Sequence, residues 1–186
     1  GLEWCIQNAA LYNIRVINLS LGHLPGESYQ TDPLCAAVRR AVQAGIVVVC
    51  SAGNYGRGSD GRTRYGRISC PGNEPTAITV GALNTHETSI RSDDTVCTYS
   101  SRGPTYIDNL PKPDLLAPGN KIISVRSPGC QLDATFSGNQ IDAQSYGGTT
   151  AGRFYYCLSG TSMAAPQVAG VAALMLQANP AHYADR

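Results

Sequence analysis

Ser162 stands in the segment LSGTSMAAPQVAGVAALMLQ (158–177), behind a Gly-Thr pair and ahead of a run of small and apolar residues. A serine hydroxyl is a poor nucleophile at neutral pH unless a neighbouring base takes its proton. At the amino end of a helix it meets the positive end of the macrodipole and unpaired backbone N–H groups. Both favour negative charge developing on an attacked carbonyl oxygen. The position also suits an ordinary N-cap serine, and position alone favours that structural role. Asn54 closes the segment SAGN (51–54), at the carboxyl end of an apolar strand pattern, where open parallel sheets gather ligands. Its side-chain N–H fixed at such an edge is an oxyanion donor. A turn asparagine after glycine is the equal alternative.

A nucleophilic serine needs a base, and the chain has three histidines, in LGHLP (His23), NTHET (His86) and PAHYA (His182). His23 follows an apolar strand pattern and is placed to border a cleft, but its loop context is wrong for a base. His86 and His182 read as solvated loop residues. Asp93, Asp94 and Asp114 read as turn or capping residues, and no local Asp-rich loop assigns a calcium ion.

The elements that must position these residues follow from hydrophobic patterning. Residues 2–11 place Leu2, Cys5, Ile6, Ala9 and Ala10 on one helical face. The run 14–22 reads as a strand buried on both sides. Residues 31–45 form a complete helix, capped by Thr31 or Asp32, with Pro33 in its first turn and Gly45 at its stop. Its buried stripe is Leu34, Ala37, Val38, Ala41 and Val42. Runs 46–50 and 77–83 are two more strands, so strand, helix, strand spacing predicts right-handed crossovers and a parallel sheet. From 84 to 160 the pattern weakens to short strands in VCTYSSRGP, PKPDLLAPG and IISV, and 127–152 reads as a polar surface loop. A last helix runs from Thr161 to Ala178, before Asn179-Pro180. Ala164, Ala165, Ala169 and Gly170 let it sit tightly under the sheet's carboxyl edge. Pro166 is expected in its first turn.

Composition narrows the function classes. The 186 residues are 42% hydrophobic and 15% charged, with 20 glycines, which fits one loop-rich globular domain. A net charge of +1 without a Lys/Arg cluster gives nothing to attract nucleic acid. The longest apolar runs are too short to span a bilayer. The seven cysteines show neither CxxC metal spacing nor a dense disulfide framework, so most read as small buried hydrophobes. Cys130 and Cys157, flanking the polar loop, are the best disulfide pair. The redox compartment stays open, with a secreted or cell-surface location favoured over a cytoplasmic one.

Taken together, these segments resemble one family. GTSMAAPQVAG looks like the nucleophile motif of the subtilisin-like serine proteases (subtilases, peptidase S8), SAGN like their oxyanion segment and INLSLG like their substrate-binding strand. AITVGA, YSSRGP and DLLAPG follow in the family's order. NIRVINLSLG and TYSSRGPT most resemble the bacterial AprX-like group. The likeness covers the chain apart from the 127–157 loop insertion.

The resemblance implies a three-layer α/β/α fold on a parallel sheet. It makes Ser162 the acyl-forming nucleophile and puts the Asn54 amide and the Ser162 N–H in an oxyanion hole. Ser20, Leu21 and Gly22 would pair with the main chain of an extended peptide. Ser51, Ala52 and Gly53 would line the pocket for the residue before the scissile bond, a roomy uncharged slot suited to large apolar side chains. Thr161 is counted with the substrate-binding residues. Pro71 aligns with a proline that follows a cis peptide bond, although sequence alone favours trans. The family's acid lies in a D-T/S-G motif and its base in H-G-T-H, and neither occurs here. The resemblance therefore implies the carboxyl-terminal part of a catalytic domain, its amino-terminal strands, Asp and His lying upstream. Such a chain would be inactive alone and would self-associate or pair with a companion half. No cofactor is expected for the chemistry; the family often binds structural calcium. Two alternatives stand beside this one. The related serine-carboxyl peptidases usually carry Asp where Asn54 stands, and a non-catalytic peptide-binding or assembly module would have no need of both motifs.

Overall fold

The computed structural model describes residues 1–179; His182 lies outside the described residues. The chain opens with α1 (Leu2–Tyr12), stopped by Asn13 in the left-handed conformation, and runs into β1 (Val16–Leu19). Helix α2 (Pro33–Gln43) begins where Asp32 Oδ1 accepts the N–H groups of Leu34 (2.8 Å) and Cys35 (2.9 Å), with Pro33 needing no acceptor in the first turn. Strands β2 (Val47–Ser51) and β3 (Ile78–Asn84) follow, then β4 (Thr95–Val96), β5 (Leu115–Pro118) and β6 (Ile122–Val125). A short α3 (Gln131–Thr135), β7 (Gln140–Ile141) and β8 (Tyr155–Leu158) precede the long α4 (Thr161–Ala178).

β1, β2 and β3 lie side by side in parallel, and β5 adds in parallel to β3. The register sets Leu19 beside Cys50 and Ser51 beside Val80, so the strands deliver 20–22 and 51–54 to the same edge. Helix α2 covers one face, packing Val38 and Ala41 on Val48, Cys50 and Ala77, with Leu2 and Ile6 of α1 against the same cluster. Helix α4 covers the other, setting Ala164 and Ala165 against Val49, Val80, Ala82 and Ala117. Two fully buried alanines bring the α4 backbone close to the sheet, which places the residues at its amino end.

Four expectations change. The core sheet is parallel, but β4 pairs antiparallel with the end of β3. β1 is half-buried rather than buried on both sides, with Asn18 exposed, because among the described residues it pairs with β2 alone. The polar stretch read as a loop carries α3 and β7, and β7 joins β8 and β6 in a three-stranded antiparallel sheet, order β6-β8-β7. An ion pair supports it, Arg126 Nε to Asp133 Oδ1 at 2.5 Å, beside the Tyr156 hydroxyl that donates to Leu132 and Phe136 carbonyls. Finally, all seven cysteines are free thiols. Cys130 does not join Cys157; its Sγ accepts the Asp133 N–H at the start of α3. Cys35, Cys50, Cys70 and Cys97 are buried as small hydrophobes would be. Among the described residues no helix is long and apolar enough to cross a membrane.

Candidate active site

Ser162 is the second residue of α4, and Gly160 takes the N-cap position. An N-cap role for the serine is thereby excluded. Its N–H, in the first turn, finds no acceptor among the described residues. Pro166 is the sixth residue of the helix, beyond the first turn. Its ring nitrogen cannot donate to the Ser162 carbonyl one turn back. That carbonyl instead accepts the Ser20 hydroxyl at 2.8 Å, while the Ser162 hydroxyl donates to the Ser20 carbonyl at 3.3 Å. Asn18 Nδ2 donates to Ser20 Oγ at 2.9 Å, leaving the hydroxyl hydrogen to point at Ser162. The proline is tolerated because a neighbouring side chain supplies the donor it lacks.

Asn54 is fixed from the same helix. Its Oδ1 accepts both the backbone N–H (3.0 Å) and the hydroxyl (3.1 Å) of Thr161. Thr161 Oγ1 in turn accepts the Gly53 N–H at 3.1 Å, and Thr161 is fully buried. With its oxygen held on Thr161, the amide leaves Nδ2 without an acceptor among the described residues, a donor beside the unpaired Ser162 N–H. Gly53 has φ +99°, and a Cβ there would drive into Ser69 Oγ, so only glycine makes this turn.

Ser20, Leu21, Gly22, Ser51, Gly53, Asn54, Thr161 and Ser162 line one open cleft of about 340 Å³. Ala52, expected in its wall, is fully buried beneath it, its carbonyl accepting the Ser69 N–H. Tyr55 and Ser69 also line the cleft and were not singled out from sequence. Nothing in SCPGN announced Ser69, since only the pairing of residues 52 and 69 brings it there. Gly22 packs so that an added Cβ would lie 2.6 Å from the Cys70 carbonyl. The Cys70–Pro71 bond is cis, as the resemblance implied, and so are Gly103–Pro104 and Lys112–Pro113.

Among the described residues no histidine or carboxylate bonds Ser162. His23 bonds backbone to backbone with Cys70, and its Nδ1 lies 2.9 Å from the Leu24 carbonyl. His86 Nε2 lies 2.9 Å from Thr95 Oγ1 on an exposed loop. Neither Cys35 nor Cys50 is a competing nucleophile. The Cys70 thiol beside it, then burial, push the Cys35 thiol far above its ordinary range, and burial pushes Cys50 up to about 12.

A helix-borne serine and a pinned asparagine at the carboxyl edge of a parallel sheet define the class, an α/β fold with its candidate site at the strand ends. The chain belongs to the subtilase family, which it matches over residues 2–185. It is 44% identical over 189 residues to the serine protease AprX of Bacillus subtilis, covering 97% of this chain and 38% of that protein. A subtilisin of Bacillus pumilus is 34% identical over 180 residues, covering 97% and 47%. Among solved structures, Sphericase superposes with a TM-score of 0.68 at 26% identity, covering 98% of this chain and 49% of that one. A psychrophilic protease designated S41 gives 0.67 at 28%, covering 98% and 50%. The chain thus spans half or less of the length of these relatives.

Proposed function

We propose that this chain carries the nucleophile half of a serine endopeptidase site. Ser162 Oγ attacks the scissile carbonyl and forms the acyl-enzyme. The oxyanion is received by Asn54 Nδ2 and the Ser162 N–H, donors worth about 2.7–4 kcal/mol each to a transition state. The observation that carries this reading is the double hold of Thr161 on Asn54 Oδ1, which fixes the amide with its donors outward beside Ser162. Ser20, Leu21 and Gly22 pair with an extended peptide or protein substrate, and Ser51 and Gly53 border the pocket for the residue before the scissile bond. Ala52 shapes that wall from below, and Thr161 acts through Asn54.

The general base and its acid come from polypeptide outside the described residues, because among these Ser162 donates its proton to a backbone carbonyl and meets no imidazole. Alone, the chain turns over peptides negligibly, retaining at most the contribution of the oxyanion site and of binding. Its half-paired β1 edge and the exposed Val171, Leu174 and Met175 of α4 are covered by that companion polypeptide or, without it, by a second copy. The test is labelling with a serine-directed phosphonate alongside peptide turnover. Slow labelling and no turnover are expected of the chain alone, and fast labelling at Ser162 would sink the claim that the base lies elsewhere. A monodisperse monomer in light scattering would sink the second.

A further inference from the structure

Behind the cleft, three metal-ligating side chains from three separate segments converge. His23, Asp32 and Cys70 place an imidazole nitrogen, a carboxylate oxygen and a sulfur all within 4.8 Å of one another. Cys35 stands beside this group, its Sγ 3.7 Å from Cys70 Sγ, and is not one of its members. We propose that His23, Asp32 and Cys70 form a zinc site, with water completing the tetrahedron.

The spacing matches the chemistry. A sulfur and a carboxylate oxygen on the same zinc at a tetrahedral angle stand ~3.6 Å apart, and Cys70 Sγ lies 3.3 Å from Asp32 Oδ1. The ligands are oriented from behind, as metal ligands commonly are. His23 directs Nδ1 at the Leu24 carbonyl, 2.9 Å away, so this nitrogen carries the hydrogen and Nε2 keeps its lone pair. The Leu34 and Cys35 N–H groups hold Asp32 Oδ1, while no hydrogen bond among the described residues reaches Oδ2. The Cys70 thiol donates to Asp32, so it carries a proton that binding displaces to solvent as zinc takes the thiolate, while the Cys35 thiol donates to Asn73 Oδ1 at 3.3 Å. Exposed His23 gives the ion its entry, and buried Asp32 and Cys70 close the far side.

The site would clamp the cleft. Gly22 and Ser69, both cleft residues, directly precede His23 and Cys70, and the third segment is the start of α2. Zinc would tie these three segments together without touching Ser162, independently of the protease reading.

The experiment adds Co²⁺ to the full chain, reduced and metal-free, and follows the thiolate-to-cobalt charge-transfer band, with Zn²⁺ competing. One equivalent is expected to bind with tetrahedral ligand-field absorption, to release protons and to raise Tm. C70S should abolish the band, and H23N should weaken affinity at least about tenfold. C130S, whose cysteine caps α3, should leave binding unchanged. An absent band with the Cys70 thiol free, a band that survives C70S, or a Cys35–Cys70 disulfide recovered from the native chain would overturn the proposal. Should C70S not fold, H23N decides, since exposed His23 carries no core packing and unchanged cobalt affinity there refutes the site.

Discussion

Replacing Ser20 with alanine tests the link between Pro166 and the nucleophile's backbone. In a regular helix the N–H of residue 166 would bond the Ser162 carbonyl, and proline has none to give. The Ser20 hydroxyl occupies that place at 2.8 Å. Ser20→Ala removes one hydrogen bond, worth about 1 kcal/mol net, and strands a half-buried carbonyl. The cleft lets some water reach it, which puts the whole loss at about 1–2 kcal/mol. Asn18 loses its acceptor too, but it is exposed and turns to solvent. Urea unfolding should show a lower midpoint at unchanged slope. Pro166→Ala supplies the second arm, because alanine brings back an N–H. In the Ser20→Ala background that N–H closes the missing helix bond; in the parent, the hydroxyl already satisfies the carbonyl. The unfolded-state effect of removing proline is common to both backgrounds and cancels. The cycle should therefore give a coupling energy of about 1 kcal/mol. A value below about 0.3 kcal/mol would refute the argument that the serine stands in for the absent donor.

Thr161→Val keeps the shape of a fully buried residue but removes the hydroxyl between Gly53 and Asn54. A cost of about 2 kcal/mol is expected from one lost bond and one stranded N–H, with Thr161→Ser nearly neutral; equal losses in the two variants would show that packing, not the hydroxyl, matters. With the companion polypeptide supplying the base, Asn54→Ala should lower kcat by about 10²–10³ at little change in KM, and a KM effect alone would place Asn54 in substrate binding. The Arg126 guanidinium holds the Asp133 carboxyl down from 3.8 to about 2. A depressed folded pKa means the stabilisation is complete above 3.8 and is lost as pH falls from there through about 2. Amide exchange in β8 and α3 should accelerate across that window, and Asp133→Asn should flatten the dependence; the same acceleration in the variant would exclude the ion pair as its cause.

What the sequence discloses depends on whether an element's reason for existing is local. β2, β3, α2 and α4 were legible because each has an apolar run or stripe long enough to fill one face of the core. Within α2 the reading placed Leu34 in the buried stripe and omitted Cys35, yet Cys35 is fully buried. The start of α2 packs against the 69–73 turn, where Cys70 and Asn73 receive that thiol, and no periodicity reports on a turn 35 residues away. The antiparallel sheet of β6, β8 and β7 stayed hidden for a similar reason. Its strands are short and partly polar, and its Arg126–Asp133 and Tyr156 contacts have no repeat. Ser162 and Asn54 were legible as a motif pair, whereas Tyr55, Ser69 and the true depth of Ala52 emerged only once the strands were in register.

Proline in the second turn of the nucleophile's helix has a consequence for how the cleft is assembled. It leaves one helix carbonyl without its helical partner, and Ser20, the residue after β1, satisfies it. The bond from Ser20 to Ser162 joins residues 142 apart in sequence, and the Thr161 bonds to Asn54 join residues 107 apart. Neither pair can form before α4 has docked on β1 and β2, since its fully buried Ala164 and Ala165 set the distance. Docking the helix therefore does three things at once: it seats the serine, turns the Asn54 amide outward and ties down the strand edge a peptide would pair with. A helix free to make all its own bonds would have no need of Ser20, and the end of β1 would lose its fixed position relative to Ser162. The rule-breaking residue Pro166 thus couples the two walls of the cleft.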